Sequence, residues 1–214
     1  MSAKKKDNVV KDVLILLVIT LCAGLLLGAA YTVTKAPIAK AQAEQRAQSQ
    51  RAVMEDADSF VSIENVDYEA IQAALDENGI TKTSVTAMDE ALDASGERIG
   101  YVVTATNAEG YGGDVELMCG ILSDGEGGLV INGISFLTLA ETAGMGMRAK
   151  DAAFADQFKG KMLEENEPVV YTKNEAVNEN EVDVISGCTV TTSAVVKDVN
   201  AALIAVRVTE RGAK

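Results

Sequence analysis

The sequence has no histidine and no tryptophan, only two prolines and three cysteines, and 4% aromatic residues. Without histidine there is neither the base of a Ser-His-Asp or Cys-His nucleophilic system nor the commonest metal ligand. The cysteines Cys22, Cys119 and Cys188 show no C-x-x-C spacing. Neither a zinc ribbon nor a complete cysteine-ligated cluster fits within one chain, so no metal site and no catalytic nucleophile is expected. Positive charge is also scarce: 19 Lys and Arg stand against 32 Asp and Glu, a net charge of −13. Binding a nucleic-acid backbone needs a basic face, so nucleic acid is not an expected partner. The acidity reads as a solvated surface.

What is present begins with one long hydrophobic run. Val13 to Ala30 is almost wholly apolar and uncharged. At ~1.5 Å rise per residue it spans roughly 27 Å, close to a hydrocarbon core, with Tyr31 placed for the interface. Lys4, Lys5, Lys6 and Lys11 precede it, against Lys35 and Lys40 after it. The positive-inside rule puts the N-terminus in the cytoplasm and the remainder outside it, a single pass through the plasma membrane. Two alternatives stay open. A signal peptide would be cleaved after the small residues Gly28-Ala29-Ala30, although the apolar stretch is long for a signal core. A lipoprotein would use Cys22, but Leu21 stands where a small residue is needed. The expected layout is residues 1–12 cytoplasmic, 13–33 transmembrane helix, 34–59 helical linker and 60–214 an extracytoplasmic domain.

Linker residues Ala36 to about Ala57 are rich in Ala, Gln, Glu and Arg, with Pro37 suited to a first helical turn. In the domain, Tyr68 to Asn78 predicts a helix closed by Gly79. Thr81 to Met88 and Ile99 to Thr106 predict strands around a turn at Gly96. After the loop Gly110-Tyr111-Gly112-Gly113 come the strands Val115 to Leu122 and Leu129 to Leu137, joined by a hairpin turn at Asp124–Gly128. A helix is expected over Lys150 to Phe158. This succession predicts an α+β fold: a twisted, mainly antiparallel sheet with helices packed on it.

The chemistry concentrates in Asp183-Val-Ile-Ser186-Gly187-Cys188-Thr189-Val-Thr191-Thr192-Ser193. Asp183 to Ile185 reads as the end of a strand and Gly187 as a turn. Then Val195, Val196, Val199, Leu203 and Val206 recur at helical spacing. A hydroxyl-rich turn entering a helix offers unpaired N–H groups and the positive end of the helix dipole, a phosphate-sized site without the lysine of a P-loop. Lys197, one turn on, is a further candidate for the anion. The plain alternative is an ordinary N-cap through Thr192 or Ser193. A second stretch, Ala140-Glu141-Thr142-Ala143-Gly144-Met145-Gly146-Met147, is a glycine-bearing loop before a helix and by itself weak evidence for a nucleotide. Cys188 could pair with Cys119, a possibility sequence spacing leaves open.

Asp183-x-x-Ser186-Gly187-Cys188-Thr189 resembles the Asp-x-x-Ser/Thr-Gly-Ala-Thr motif of the FMN-binding domain family. That family includes the G subunit of Rnf electron-transport complexes and the C subunit of sodium-translocating NADH:quinone reductases. Cys188 replaces the usual alanine. The 141–146 loop resembles the family's Glu-Thr-Pro-Gly-Leu-Gly loop, with Ala143 for proline and Met145 for leucine; the histidine often found just before it is absent. Gly110–Gly113 and Gln157-Phe158-Lys159-Gly160-Lys161 are similar to further landmarks.

The resemblance implies covalent FMN, joined to Thr189 by a phosphoester that a separate flavin transferase makes. Ser186, Gly187, Cys188 and Thr191 would surround the attachment. Glu141, Thr142, Gly144 and Met145 would lie against the flavin, and Asp183 would serve transferase recognition or the turn. It further implies an electron-relay subunit among the other subunits of an Rnf-type complex. The competing expectations are a cofactor-free anchored binding or scaffold domain, the equivalent flavin subunit of a sodium-translocating NADH:quinone reductase, and a free-standing flavin reductase, the last disfavoured by the missing nicotinamide fingerprint.

Overall fold

A computed structural model describes residues 3–123, 128–163 and 167–212, with side chains from Val9 onward. The expected hairpin turn at 124–128 therefore lies, except for Gly128, outside the described residues. The chain forms two compact units, Met1–Gln45 and Arg46–Lys214.

The first helix, α1 (Ala3–Val53), runs 51 residues without interruption. Linker and apolar segment are thus one helix, and Pro37 sits inside it rather than in a first turn. Proline there removes one N–H and leaves the Val33 carbonyl without its helical partner, a local loss within an otherwise continuous ladder. In the first unit the apolar side chains from Val9 to Val33 are exposed, and the helix is long and apolar enough to cross a membrane. That composition and exposure associate the chain with a membrane.

In the second unit, strands β1 (Ser59–Ser62), β2 (Thr83–Leu92), β3 (Arg98–Asn107), β4 (Val115–Ser123), β5 (Leu129–Leu139) and β6 (Lys161–Leu163) form a six-stranded sheet in sequence order. Every neighbouring pair is antiparallel. A separate parallel pair joins β7 (Val170–Thr172) to β8 (Glu181–Asp183). Helix α2 (Tyr68–Glu77) begins at Asp67, whose carboxylate accepts from the Ala70 N–H, and is followed by Gly79 at φ 74°. The architecture is α+β, as the residue pattern predicts.

Both faces of the central strands are covered, which explains why β3 and β4 read as nearly continuous apolar runs. On one face lies α4 (Thr189–Gly212), whose Val195, Val196, Val199, Leu203 and Val206 are all buried. They pack with Tyr101, Val103, Leu117, Cys119 and Ile121. On the other face Val53 and Met54 meet Ala91, Val102 and Met118. A glycine channel admits this end of α1: a Cβ on Gly120 would stand 2.2 Å from the Val53 carbonyl oxygen. Asn132 Nδ2 donates to that same carbonyl at 2.8 Å, satisfying a helix-terminal acceptor. The compact unit accordingly begins before Phe60, the start that composition suggests.

One predicted helix is broken. Lys150 to Phe158 is a 3₁₀ turn (Gly146–Lys150), a single α turn α3 (Ala152–Ala155) and a second 3₁₀ turn (Asp156–Phe158). Asp151 takes extended dihedrals, φ −70° and ψ 140°, which ends one turn and starts the next. Burial of Phe154 and Phe158 in the core, their rings edge to face at 5.5 Å, sets this path.

Candidate functional site

Helix α4 starts at Thr189 itself, earlier than an N-cap at Thr192 or Ser193 would place it. Thr192 is fully buried; its hydroxyl donates to the Cys188 carbonyl at 3.0 Å and accepts from the Ile185 N–H at 3.1 Å. The capping alternative is thereby corrected: Thr192 secures the turn before the helix. That turn is closed by the Cys188 N–H on the Ile185 carbonyl at 2.8 Å, with Gly187 at φ 78°, a conformation glycine adopts without a Cβ penalty. The Thr192 N–H is the first to enter the helical ladder, on Cys188. The N–H groups of Thr189, Val190 and Thr191 precede it, at the positive end of a 24-residue helix.

The turn opens onto a cavity of about 300 Å³ lined by Gly187, Cys188, Thr189, Val190 and Thr191 on one side and Tyr111, Glu141, Thr142, Met145 and Gly146 on the other. Thr189 is half-buried and is one of the residues lining the cavity. A larger hollow, about 510 Å³, runs along the later turns of α4 past Ile80, Asn200 and Leu203. It contains none of the predicted residues of the two motifs and no helix N-terminus, so the smaller cavity is the candidate site.

Glu141 ties three segments together. Its Oε1 accepts from the Tyr111 backbone N–H at 2.8 Å and from the Thr191 hydroxyl at 3.0 Å. Its Oε2 lies 2.7 Å from where a Cβ on Gly146 would stand, so that position admits only glycine without displacement. The glycine loop is equally tight: a Cβ at Gly112 would meet the Ala140 carbonyl oxygen at 2.1 Å. The 142–147 turn is closed by the Met145 and Met147 N–H groups on the Thr142 carbonyl, at 3.1 and 3.3 Å, and Gly144 takes φ 75° within it.

Not every predicted residue faces the cavity. Gly144 shapes the loop without lining it. Ser186 is exposed and borders a neighbouring hollow with Arg148, Asp151 and Asp183. Asp183 Oδ1 accepts from the Ala176 N–H at 2.7 Å, and its own N–H donates to Gln157 Oε1 at 2.6 Å. It organises the turn and the strand before it. Lys197 pairs with Glu109 and lies along the larger hollow, so it is not the anion's partner. Cys119 and Cys188 are buried free thiols, not a disulfide. Burial pushes the Cys119 thiol up to about 12, leaving it unreactive.

Sequence reasoning missed Tyr111, Gly146 and Val190 as cavity residues. The one available signal was an aromatic among three glycines in Gly110–Gly113. Among the described residues no group of His, Cys, Asp or Glu is placed to hold a metal.

Compared with known proteins, residues 110–204 match the FMN-binding domain. The match takes in both the 141–146 loop and the Ser186–Thr189 turn. The chain is 34% identical over 139 residues to the G subunit of the Na(+)-translocating ferredoxin:NAD(+) oxidoreductase complex of Acetobacterium woodii, covering 63% of this chain and 64% of that protein. The chain thus spans just under two thirds of that relative. It is 29% identical over 196 residues to the G subunit of the ion-translocating oxidoreductase complex of Methanosarcina acetivorans, covering 92% and 93%. Among solved structures, the C subunit of the Na(+)-translocating NADH-quinone reductase of Parabacteroides distasonis aligns with TM-score 0.49 and 18% identity, over 80% of this chain and 94% of that one.

The residues lining the smaller cavity fit an FMN group. The cavity volume reaches the lower end of small-molecule sites, roughly 300–1,000 Å³. Tyr111, Met145 and Val190 are 78%, 51% and 49% exposed, an apolar rim for a flat ring system. The first-turn amides of α4 suit a phosphate.

Proposed function

We propose that this chain is a membrane-anchored flavoprotein subunit carrying FMN as a phosphoester on Thr189, and that it relays electrons within an Rnf-type ion-translocating ferredoxin:NAD(+) oxidoreductase. The observation carrying this reading is the position of Thr189: it lines the cavity as the first residue of α4, across from Glu141, Thr142, Met145 and Gly146. The names of the two relatives, G subunits of a Na(+)-translocating ferredoxin:NAD(+) oxidoreductase complex and of an ion-translocating oxidoreductase complex, support the setting.

Bound FMN would supply one-electron chemistry, and the protein would set its orientation and electrostatics. Thr189 is the tether. The N–H groups of Val190 and Thr191 serve the phosphodiester, whose single negative charge the helix end stabilises. Met145 and Val190 keep water from the apolar part of the cavity. Gly187 and Cys188 leave room beside the tether, and Thr142 holds the loop turn that presents Met145. Asp183 and Ser186 lie on the outer side of the turn, the side a flavin transferase would approach. The layout is residues 1–12 cytoplasmic, 13–33 spanning the plasma membrane once and the remainder extracytoplasmic, with α1 running on to Val53 as the connection. The other subunits of the complex supply and remove the electrons.

Production with and without a flavin transferase, followed by in-gel fluorescence and intact mass, tests the reading. An FMN-sized adduct that requires the transferase and vanishes in Thr189→Ala is expected. A colourless protein of unmodified mass in the presence of transferase rules it out.

A further inference from the structure

Among the described residues Tyr111 is the only aromatic lining the cavity, and no feature of the fold needs its ring: the side chain is 78% exposed. Its backbone is nevertheless fixed. The Tyr111 N–H donates to Glu141 Oε1 at 2.8 Å. Its neighbours are closely packed as well, since a Cβ at Gly110 would stand 2.1 Å from the Gly113 carbonyl oxygen and one at Gly112 equally close to that of Ala140. An exposed aromatic ring whose backbone is already tied to the cavity wall needs less ordering when something binds against it than one on a free loop. Across the cavity stand Met145 and Val190, the other large apolar side chains at its mouth.

We propose that Tyr111 is the positioning residue that stacks on one face of the planar ring system entering this cavity, leaving Met145 and Val190 to meet the rest of its apolar surface. The inference rests on the flavin reading of the site, since a stacking wall requires a flat π ligand. Tyr111 does not hold the phosphate end and takes no part in the attachment, which lies at the helix start. Its function is to fix the tilt of the rings relative to the tether, and thereby the edge presented to an incoming electron donor.

The test uses the detergent-solubilised full chain and two probes. In the first, FMN is titrated into the unmodified protein and flavin emission is followed. In the second, protein produced with a flavin transferase is checked for its adduct by mass, and the emission and visible circular dichroism of the attached flavin are recorded. A phenol in contact with the ring system quenches its emission. Wild-type protein should show emission several-fold below free FMN, Tyr111→Ala should recover about half or more of it, and Tyr111→Trp should remain quenched. The Tyr111→Ala variant keeps the backbone bond to Glu141, so its folding is preserved, and its adduct yield should equal wild type. Equal quenching in wild type and Tyr111→Ala overturns the proposal, as does the absence of quenching with both probes. Quenching by added FMN that depends on Tyr111, with no adduct ever formed, supports the stacking role while removing the covalent reading. A full adduct whose spectra are indifferent to Tyr111→Ala does the reverse.

Discussion

The Thr191 hydroxyl donates to Glu141 Oε1 at 3.0 Å, across fifty positions of sequence. This bond joins the first turn of α4 to the loop facing it. The same oxygen accepts the Tyr111 N–H, so one carboxylate sets the distance between three chain segments. Glu141→Ala should destabilise the protein by about 1–3 kcal/mol, the cost of leaving hydrogen-bonding groups unmet. Glu141→Gln, which keeps an acceptor oxygen, should cost less than half of that. Urea unfolding of the two variants, with hydrogen exchange at the Tyr111 amide, distinguishes them; equal loss in both would mean the charge, not the clasp, is what matters.

The glycine channel beneath α1 makes a paired prediction. A Cβ at Gly120 falls 2.2 Å from the Val53 carbonyl oxygen, while at Gly133 its nearest neighbour is the Val53 Cα at 3.8 Å. Gly120→Ala must push backbone away from backbone and should cost about 1–3 kcal/mol or more. Gly133→Ala should lie within about 1 kcal/mol of wild type. Thermal melts of both check this, and a Gly120→Ala protein melting with wild type would refute the seating of Val53.

Asp89 is buried with a full set of partners: Arg46 at 2.7 Å, Gln50 Nε2 at 2.8 Å and the Ser62 hydroxyl at 2.6 Å. Removing the guanidinium leaves a buried carboxylate still held by two neutral donors. Arg46→Ala should therefore cost about 1–2 kcal/mol, less than the loss of a fully buried pair, since the Arg46 side chain is partly solvated. The loss should be accompanied by faster proteolysis near Gln50 to Met54. Unchanged cleavage there would show that the ion pair does not hold this end of the helix.

Asp198, in the middle of α4, gives the pH dependence. It is fully buried, and neither carboxyl oxygen has a hydrogen-bond partner at normal geometry. Burial pushes its pKa up to about 9; the Thr83 hydroxyl draws it back and the charge of Glu116 adds to the rise. In the unfolded chain the group titrates near the usual ~3.9. Between about 4 and about 9 the folded protein holds a proton that the unfolded chain has released, so folding stability falls as pH rises through this window. The stabilising contribution is complete below the unfolded pKa and is lost as pH passes the folded one. Asp198→Asn should flatten the decline and raise stability at pH 8, measured as urea midpoints from pH 5 to 9. A wild-type midpoint that does not fall relative to Asp198→Asn would contradict the buried, protonated state.

The sequence by itself determined the elements and their chemistry. Period-two and period-3.6 patterns located β2 to β5, α2 and α4 because each buries a face, and burial writes its period into the chain. Glycines at 79, 96 and 187 marked turns because their positive φ excludes most other residues. The two motifs at 141–146 and 183–189 were legible because their residue types are constrained locally. Tertiary structure alone decided which groups meet. The union of Glu141 with Tyr111 and Thr191, the diversion of Lys197 to Glu109 and the bonding of Asp183 to Gln157, away from the cavity, depend on chain segments brought together from far apart. Local pattern holds no record of such distances. The break at Asp151 and the seating of Val53 on Gly120 have the same origin: packing in three dimensions overrode what the neighbouring residues would have chosen.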